Sequence, residues 1–173
     1  SPAPPSSLPP VAVPSRSKKP VQALKTRGKI TIGKILYPNF TSSDVSFRWN
    51  LVGVAPTLEK LTGTAGMNFG SGDIKDLDKL MKDNKAMKAV LLPLFALQKA
   101  QKSKLFQTTG LSKLIDLPSF SDIKYKKITG DYAFENGNAL IKVFHLEGTS
   151  LDIATQGTAH LVTETLNLNA TVK

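Results

Sequence analysis

From Ile128 to Lys173 the chain alternates apolar and polar residues almost without pause, and this constrains the fold more than any other feature. Ile128, Gly130, Tyr132 and Phe134 fall on one side of an extended segment, and Thr129, Asp131 and Glu135 on the other. That period of two belongs to a half-buried β-strand. Glu135-Asn136-Gly137-Asn138 follows, and an Asn-Gly pair accepts the positive φ angles of a tight hairpin turn. The return segment Ala139 to Leu146 is apolar on both sides, with Ile141 and Val143 on one and Leu140, Phe144 and Leu146 on the other, which predicts a strand in mid-sheet. After a turn at Gly148, Leu151, Ile153, Ala159 and Leu161 alternate with Asp152, Gln156, Thr158 and His160. Leu166, Leu168, Ala170 and Val172 then alternate with Thr165, Asn167, Asn169 and Thr171. The segment reads as an antiparallel meander with one apolar and one wet face.

Two strands are predicted upstream by the same pattern. Ile30, Ile32 and Leu36 share a side in Thr26 to Leu36, and Val45, Phe47, Trp49 and Leu51 alternate with Ser46, Arg48 and Asn50. A third, from about Leu61 to Phe69, holds Ala65, Met67 and Phe69 in phase. Between the two sets of strands the period changes. Ile74, Leu77, Leu80, Met81, Met87, Leu91 and Leu94 recur at three- and four-residue steps, the stripe of an amphipathic helix. Asp73 is placed to cap it, with Asp76 and Asp78 in its first turns, where acids suit the helix dipole. Lys75, Lys79 and Lys82 lie on another face of the same helix. Asp83-Asn84-Lys85 interrupts the stripe, Pro93 should kink it, and a short amphipathic piece, Leu111 to Leu117, follows. Residues 1–24 are a Pro/Ser-rich basic stretch that reads as an interdomain linker. The expected organisation is therefore a linker at 1–24 and one α+β domain at 25–173. Strands occupy 25–72, a helical segment 73–118 and the meander 119–173. The fold is a twisted, mostly antiparallel sheet of six to eight strands, with the inserted helical segment packed on one face.

The order of these motifs resembles the AsmA-like family of bacterial envelope proteins, which is related to bridge-like lipid-transfer proteins. The resemblance rests on the strand Gly130 to Gly137 (G-x-φ-x-F-x-x-G), on His145-Leu146-Glu147-Gly148-Thr149-Ser150-Leu151-Asp152-Ile153, and on Gly157 to Leu168 with its alternating leucines. Upstream, Gly28-Lys29-Ile30-Thr31-Ile32 and the glycine-bounded strand after Leu61 continue it, so that it covers roughly residues 25–173. Gln156-Gly157 stands where that family often has G-x-G, which predicts a gentler bend. The resemblance implies a non-catalytic module of a larger inner-membrane-anchored periplasmic protein, tied to outer-membrane assembly or phospholipid transport, with the anchor outside this segment.

Charge and chemistry narrow the alternatives. The net charge is +10, of which +7 sits in residues 1–40 and −1 in 119–173, so the meander is nearly neutral. The excess admits an anionic lipid, a nucleic acid or plain solubility. A single-stranded nucleic-acid binder needs aromatic residues interleaved with cations on one face, whereas Phe47-Arg48-Trp49 sends them to opposite faces, so no nucleic-acid partner is expected. There is no cysteine, and His145 and His160 lie fifteen residues apart without an acid cluster in sequence, so no catalytic residue, metal site or cofactor is expected. The apolar sheet face supplies the candidate site: Val45, Phe47, Trp49, Leu51, Tyr132, Phe134, Leu151, Ile153, Leu161, Leu166 and Leu168. These side chains outnumber the helical stripe that could cover them, which predicts a partly open groove for a lipid tail. Lys75, Lys79 and Lys82 are the candidate contacts to an anionic headgroup. The competing expectation is a structural or protein-binding segment whose sheet edges pair with neighbouring β-repeats of the same long protein or with other envelope proteins. For Phe47 and Trp49 ordinary sheet core is the simpler role, as is a solvated face for the three lysines.

Overall fold

The structure is a computed structural model and describes residues 24–55, 57–83, 87, 90–102, 122–163 and 165–173. The linker at 1–24, apart from Leu24, and the amphipathic piece Leu111 to Leu117 lie outside the described residues, as do Asn84 and Lys85. Eight strands form one antiparallel sheet: β1 (Leu24–Tyr37), β2 (Phe40–Val54), β3 (Thr62–Phe69), β4 (Gly72–Lys75), β5 (Asp122–Glu135), β6 (Asn138–Gly148), β7 (Asp152–His160) and β8 (Thr165–Val172). Their spatial order is β1-β2-β3-β5-β6-β7-β8, and short β4 continues the position of β3, pairing with β2 and β5. Among the described residues two short helices, α1 (Leu77–Asp83) and α2 (Leu92–Lys102), are inserted between β4 and β5. The architecture is thus α+β, with the sheet dominant and its four C-terminal strands in simple meander order.

Alternation explains most of the sheet, and three local departures explain the rest. The β5–β6 connection is a two-residue turn with φ of 46° at Asn136 and 79° at Gly137, the mirror-image geometry that follows the twist of the two strands. In β2 the phase changes at Asp44, whose φ is 47°. Phe40 and Ser42 point inward before it, and Val45 and Phe47 after it. In β6 the register with β5 and with β7 slips at Lys142. This bulge corrects the sequence-based picture of a strand apolar on both sides. Ile141, Phe144 and Leu146 are all buried on one face, while Leu140 and Val143 are exposed on the other. A bulge places two residues opposite one, so the apparent double-sided pattern is a phase shift.

The helical segment begins later than its periodicity suggests. Gly72 to Lys75 is strand, with Ile74 paired to Phe40 and Ile123. Asp76, at φ 48°, turns the chain, and its carboxylate accepts a hydrogen bond from the Lys79 amide at 3.1 Å. Asp76, not Asp73, is therefore the cap of α1, and Asp73 instead accepts from the Thr41 hydroxyl. Pro93 falls in the first turn of α2, directly after the turn at Leu91 that parts α2 from helical Val90. The helical path thus breaks at Pro93, and its missing N–H falls where none is needed. Of the rest of the stripe Met87 is half-buried, while Leu77, Leu80, Met81, Leu91 and Leu94 are buried, and Leu97, outside the predicted stripe, is buried with them. They share one apolar cluster with Phe40, Val45, Phe69, Ile128, Phe144, Leu146, Leu151 and Ile153 of the strands and the loop before β7.

Aromatic rings pin the centre of that cluster. Phe69 meets Phe40 and Phe47 edge-on, with centroids 5.6 and 5.3 Å away. Phe40 stacks on Tyr125 at 6.3 Å. The Tyr125 hydroxyl donates to the Thr41 carbonyl at 2.7 Å, and burial pushes its pKa up to about 12. Burial also raises the pKa of Tyr132, whose hydroxyl donates to the Val90 carbonyl at 3.3 Å and so ties β5 to the helical segment.

Candidate functional site

Strand register sorts the inward-facing side chains into rows that run across the sheet. Beyond the buried Phe40, Ile74 and Ile123, one row holds Val45, Phe69, Ile128, Leu146, Ile153 and Val172. The next passes through Phe47, Met67, Gly130, Phe144 and Thr155. A third holds Trp49, Ala65, Tyr132, Ile141, Gly157 and Leu168, and the last Leu51, Gly63, Phe134, Ala139, Ala159 and Leu166.

This geometry divides the eleven candidate residues. Val45, Leu151 and Ile153 are buried core. Phe47, Tyr132 and Leu168 pack against the core while half-buried. Trp49, Leu51, Phe134, Leu161 and Leu166 lie outside the buried cluster, and Leu166 is exposed. Along β2, β3 and β5 burial therefore falls from the Val45 row to the Leu51 row, whereas Ile141, Ala139 and Ala159 on β6 and β7 stay buried. Small residues at Gly63, Ala65, Ala139, Gly157 and Ala159 keep the floor of the last two rows low. Trp49 is the largest side chain there. Its ring lies across Gly28, where a Cβ would come within 2.5 Å of the ring, and its Nε1 donates to the Thr26 hydroxyl at 3.0 Å.

The three lysines do not form one helical stripe. Lys75 belongs to β4, where its amide donates to the Asn39 carbonyl at 2.9 Å, and Lys79 and Lys82 belong to α1. All three are exposed. Lys75 stands at the Asn39 end of the sheet, about 35 Å along β2 from Leu51 at the usual rise per residue. It is not brought together with the less covered rows.

Two polar arrangements escaped the sequence reading. His145 Nε2 lies 2.6 Å from Asp152 Oδ1, a cross-sheet pair between β6 and β7, so His145 has an acid neighbour after all. Arg48 pairs with Asp131 across β3. The residues involved are seven and 83 positions apart, and only strand order brings them together. Among the described residues no three His, Cys, Asp or Glu side chains stand together as a metal site, and no helix is long and apolar enough to cross a membrane.

No protein-family model, no curated protein and no solved structure matches this chain.

Proposed function

We propose that this chain is a non-catalytic module of the AsmA-like kind, part of a larger inner-membrane-anchored periplasmic protein, and that its apolar sheet face receives a phospholipid acyl chain. The observation that carries the proposal is the fall in burial along β2, β3 and β5. Leu77, Leu80 and Leu94 of the helices share the buried cluster with Val45, Phe69 and Ile128, while Trp49, Leu51, Phe134 and Leu166 stand outside it. A methylene chain laid over that floor would gain about 0.8 kcal/mol per buried CH₂. Apolar burial alone therefore suffices to hold it. The headgroup would leave the sheet at the Leu51 end, so Lys75 plays no part in binding it. Outer-membrane assembly and phospholipid transport are the processes in which such a module would serve.

The test uses Trp49, the only tryptophan. Titrating short-chain phosphatidylglycerol below its micelle concentration is expected to shift Trp49 emission to the blue, and Leu51→Asn should weaken the effect severalfold. Leu51 is outside the core cluster, so this variant keeps its fold, unlike Phe47→Asp, which would bury a carboxylate against Phe69. No shift at any lipid concentration would reject the groove.

A second reading rests on the sheet's open edges. Strand β1 spans 14 residues and, among the described residues, pairs with β2 alone, so a strand from a neighbouring β-repeat or another envelope protein could extend the sheet there. Lys25, Arg27, Lys29 and Lys34 guard that edge, as charges commonly do against unwanted pairing, which ranks this reading second.

A further inference from the structure

The opposite, polar face carries a separate feature. Register places Lys29, Arg48, Gly66, Asp131 and Val143 in one row across β1, β2, β3, β5 and β6. Arg27 and Asn50 sit in the next row. All of these but Gly66 line a half-open cavity of about 1140 Å³, together with Lys142.

Two backbone devices build it. Gly66 leaves a seat for Arg48, since a Cβ there would come within 2.5 Å of the guanidinium carbon. The guanidinium thus crosses β3 to reach Asp131. The bulge in β6 is the second device. Its extra residue is Lys142, which the bulge turns onto the same face as Val143 and into the cavity. Arg48 has its acid in Asp131, but Arg27, Lys29 and Lys142 form no ion pair among the described residues. Four cations therefore line the cavity against one carboxylate. Trp49 and Tyr132 touch it, yet by register their rings belong to the other face. Among the described residues no aromatic ring projects from the polar face into the cavity, so recognition there runs through charge and hydrogen bonds.

We propose that this polar-face cavity is a binding site for a ligand bearing clustered phosphate groups. Arg48, held flat by Gly66 and Asp131, presents donors in fixed geometry, and Arg27, Lys29 and Lys142 supply the remaining charge. The site is independent of the acyl-chain reading: it lies on the other side of the sheet, and Leu51→Asn leaves it unchanged.

Calorimetric titration with inorganic tripolyphosphate at low ionic strength tests it, because exposed charges act weakly in high salt. The Arg27→Gln/Lys29→Gln double variant is expected to bind at least tenfold more weakly. Lys75→Gln/Lys82→Gln removes equal charge at distant sites and should bind within twofold of the parent. Gly66→Ala, which displaces only the tip of the Arg48 side chain, is expected to weaken binding while circular dichroism stays unchanged. Sedimentation with phosphatidylglycerol vesicles separates the two sources of phosphate. Vesicle binding lost in Arg27→Gln/Lys29→Gln assigns a lipid headgroup, and tripolyphosphate binding without vesicle binding assigns a soluble ligand. Either supports the site. Absence of tripolyphosphate binding, or equal losses in the two double variants, overturns it.

Discussion

Placing a carboxylate at Ile153 or Leu151 is expected to leave the domain unfolded at pH 7. Ile153 is fully buried and lies between Leu146 and Val172 in the cross-sheet row; Leu151 is also buried. Losing a large apolar side chain there forfeits about 1.5–3 kcal/mol of burial. A carboxyl with an ordinary pKa near 3.9 must also be protonated to stay in such a place, which costs about 4 kcal/mol at pH 7. Together these approach the 5–15 kcal/mol that typically separates folded from unfolded chains. Ala154→Asp provides the comparison, because Ala154 is the exposed neighbour on the opposite face. It should stay within about 0.5 kcal/mol of the parent in urea denaturation. Similar losses at 153 and 154 would mean that the faces have been assigned the wrong way round. Asp152→Leu should cost less than about 1 kcal/mol, since it breaks only the half-exposed pair with His145.

The second large effect is expected at Phe69. Its ring is inaccessible to solvent and stands edge-on to both Phe40 and Phe47. Phe69→Ala removes the shared partner of both contacts and leaves a cavity where β3 meets β2. A loss of about 3–5 kcal/mol is expected from transfer and cavity costs together. Phe134→Ala, on β5 at the less covered end, should cost clearly less, because Phe134 is only half-buried and outside the cluster. Urea denaturation of the two variants checks the order. Equal losses would show that the Leu51 end of the face is as tightly packed as the Val45 end.

Much of the fold was legible because a strand writes its burial into every second residue. Ile128 to Phe134, the Asn136-Gly137 turn and the strand from Leu166 to Val172 appear where the sequence predicts them, although Leu166 and Ala170 of that last strand are exposed. Where legibility failed, one residue satisfied two patterns. Ile74 lies three residues before Leu77, so it fits a helical stripe, yet it is buried as a strand residue between Phe40 and Ile123. Lys142 gives no local sign that the strand bulges there, and the apparent two-sided apolarity of β6 was that bulge. Asp44 likewise hides a phase change that only its φ reveals. For the candidate face, alternation identified the side but not the cover. Val45 and Trp49 have the same sequence signature and differ only in what packs above them. The Arg48–Asp131 pair could not be read at all, because it depends on β3 lying between two strands far apart in sequence.

Native mass spectrometry of the protein purified without detergent tests most directly whether the apolar face holds a phospholipid. A population carrying one added phospholipid mass is predicted. That population should fall sharply in Leu51→Asn and persist in Arg27→Gln/Lys29→Gln, whose changes lie on the other face. A single lipid-free mass for protein taken from phospholipid-rich cells, unchanged after incubation with phosphatidylglycerol, would contradict the account.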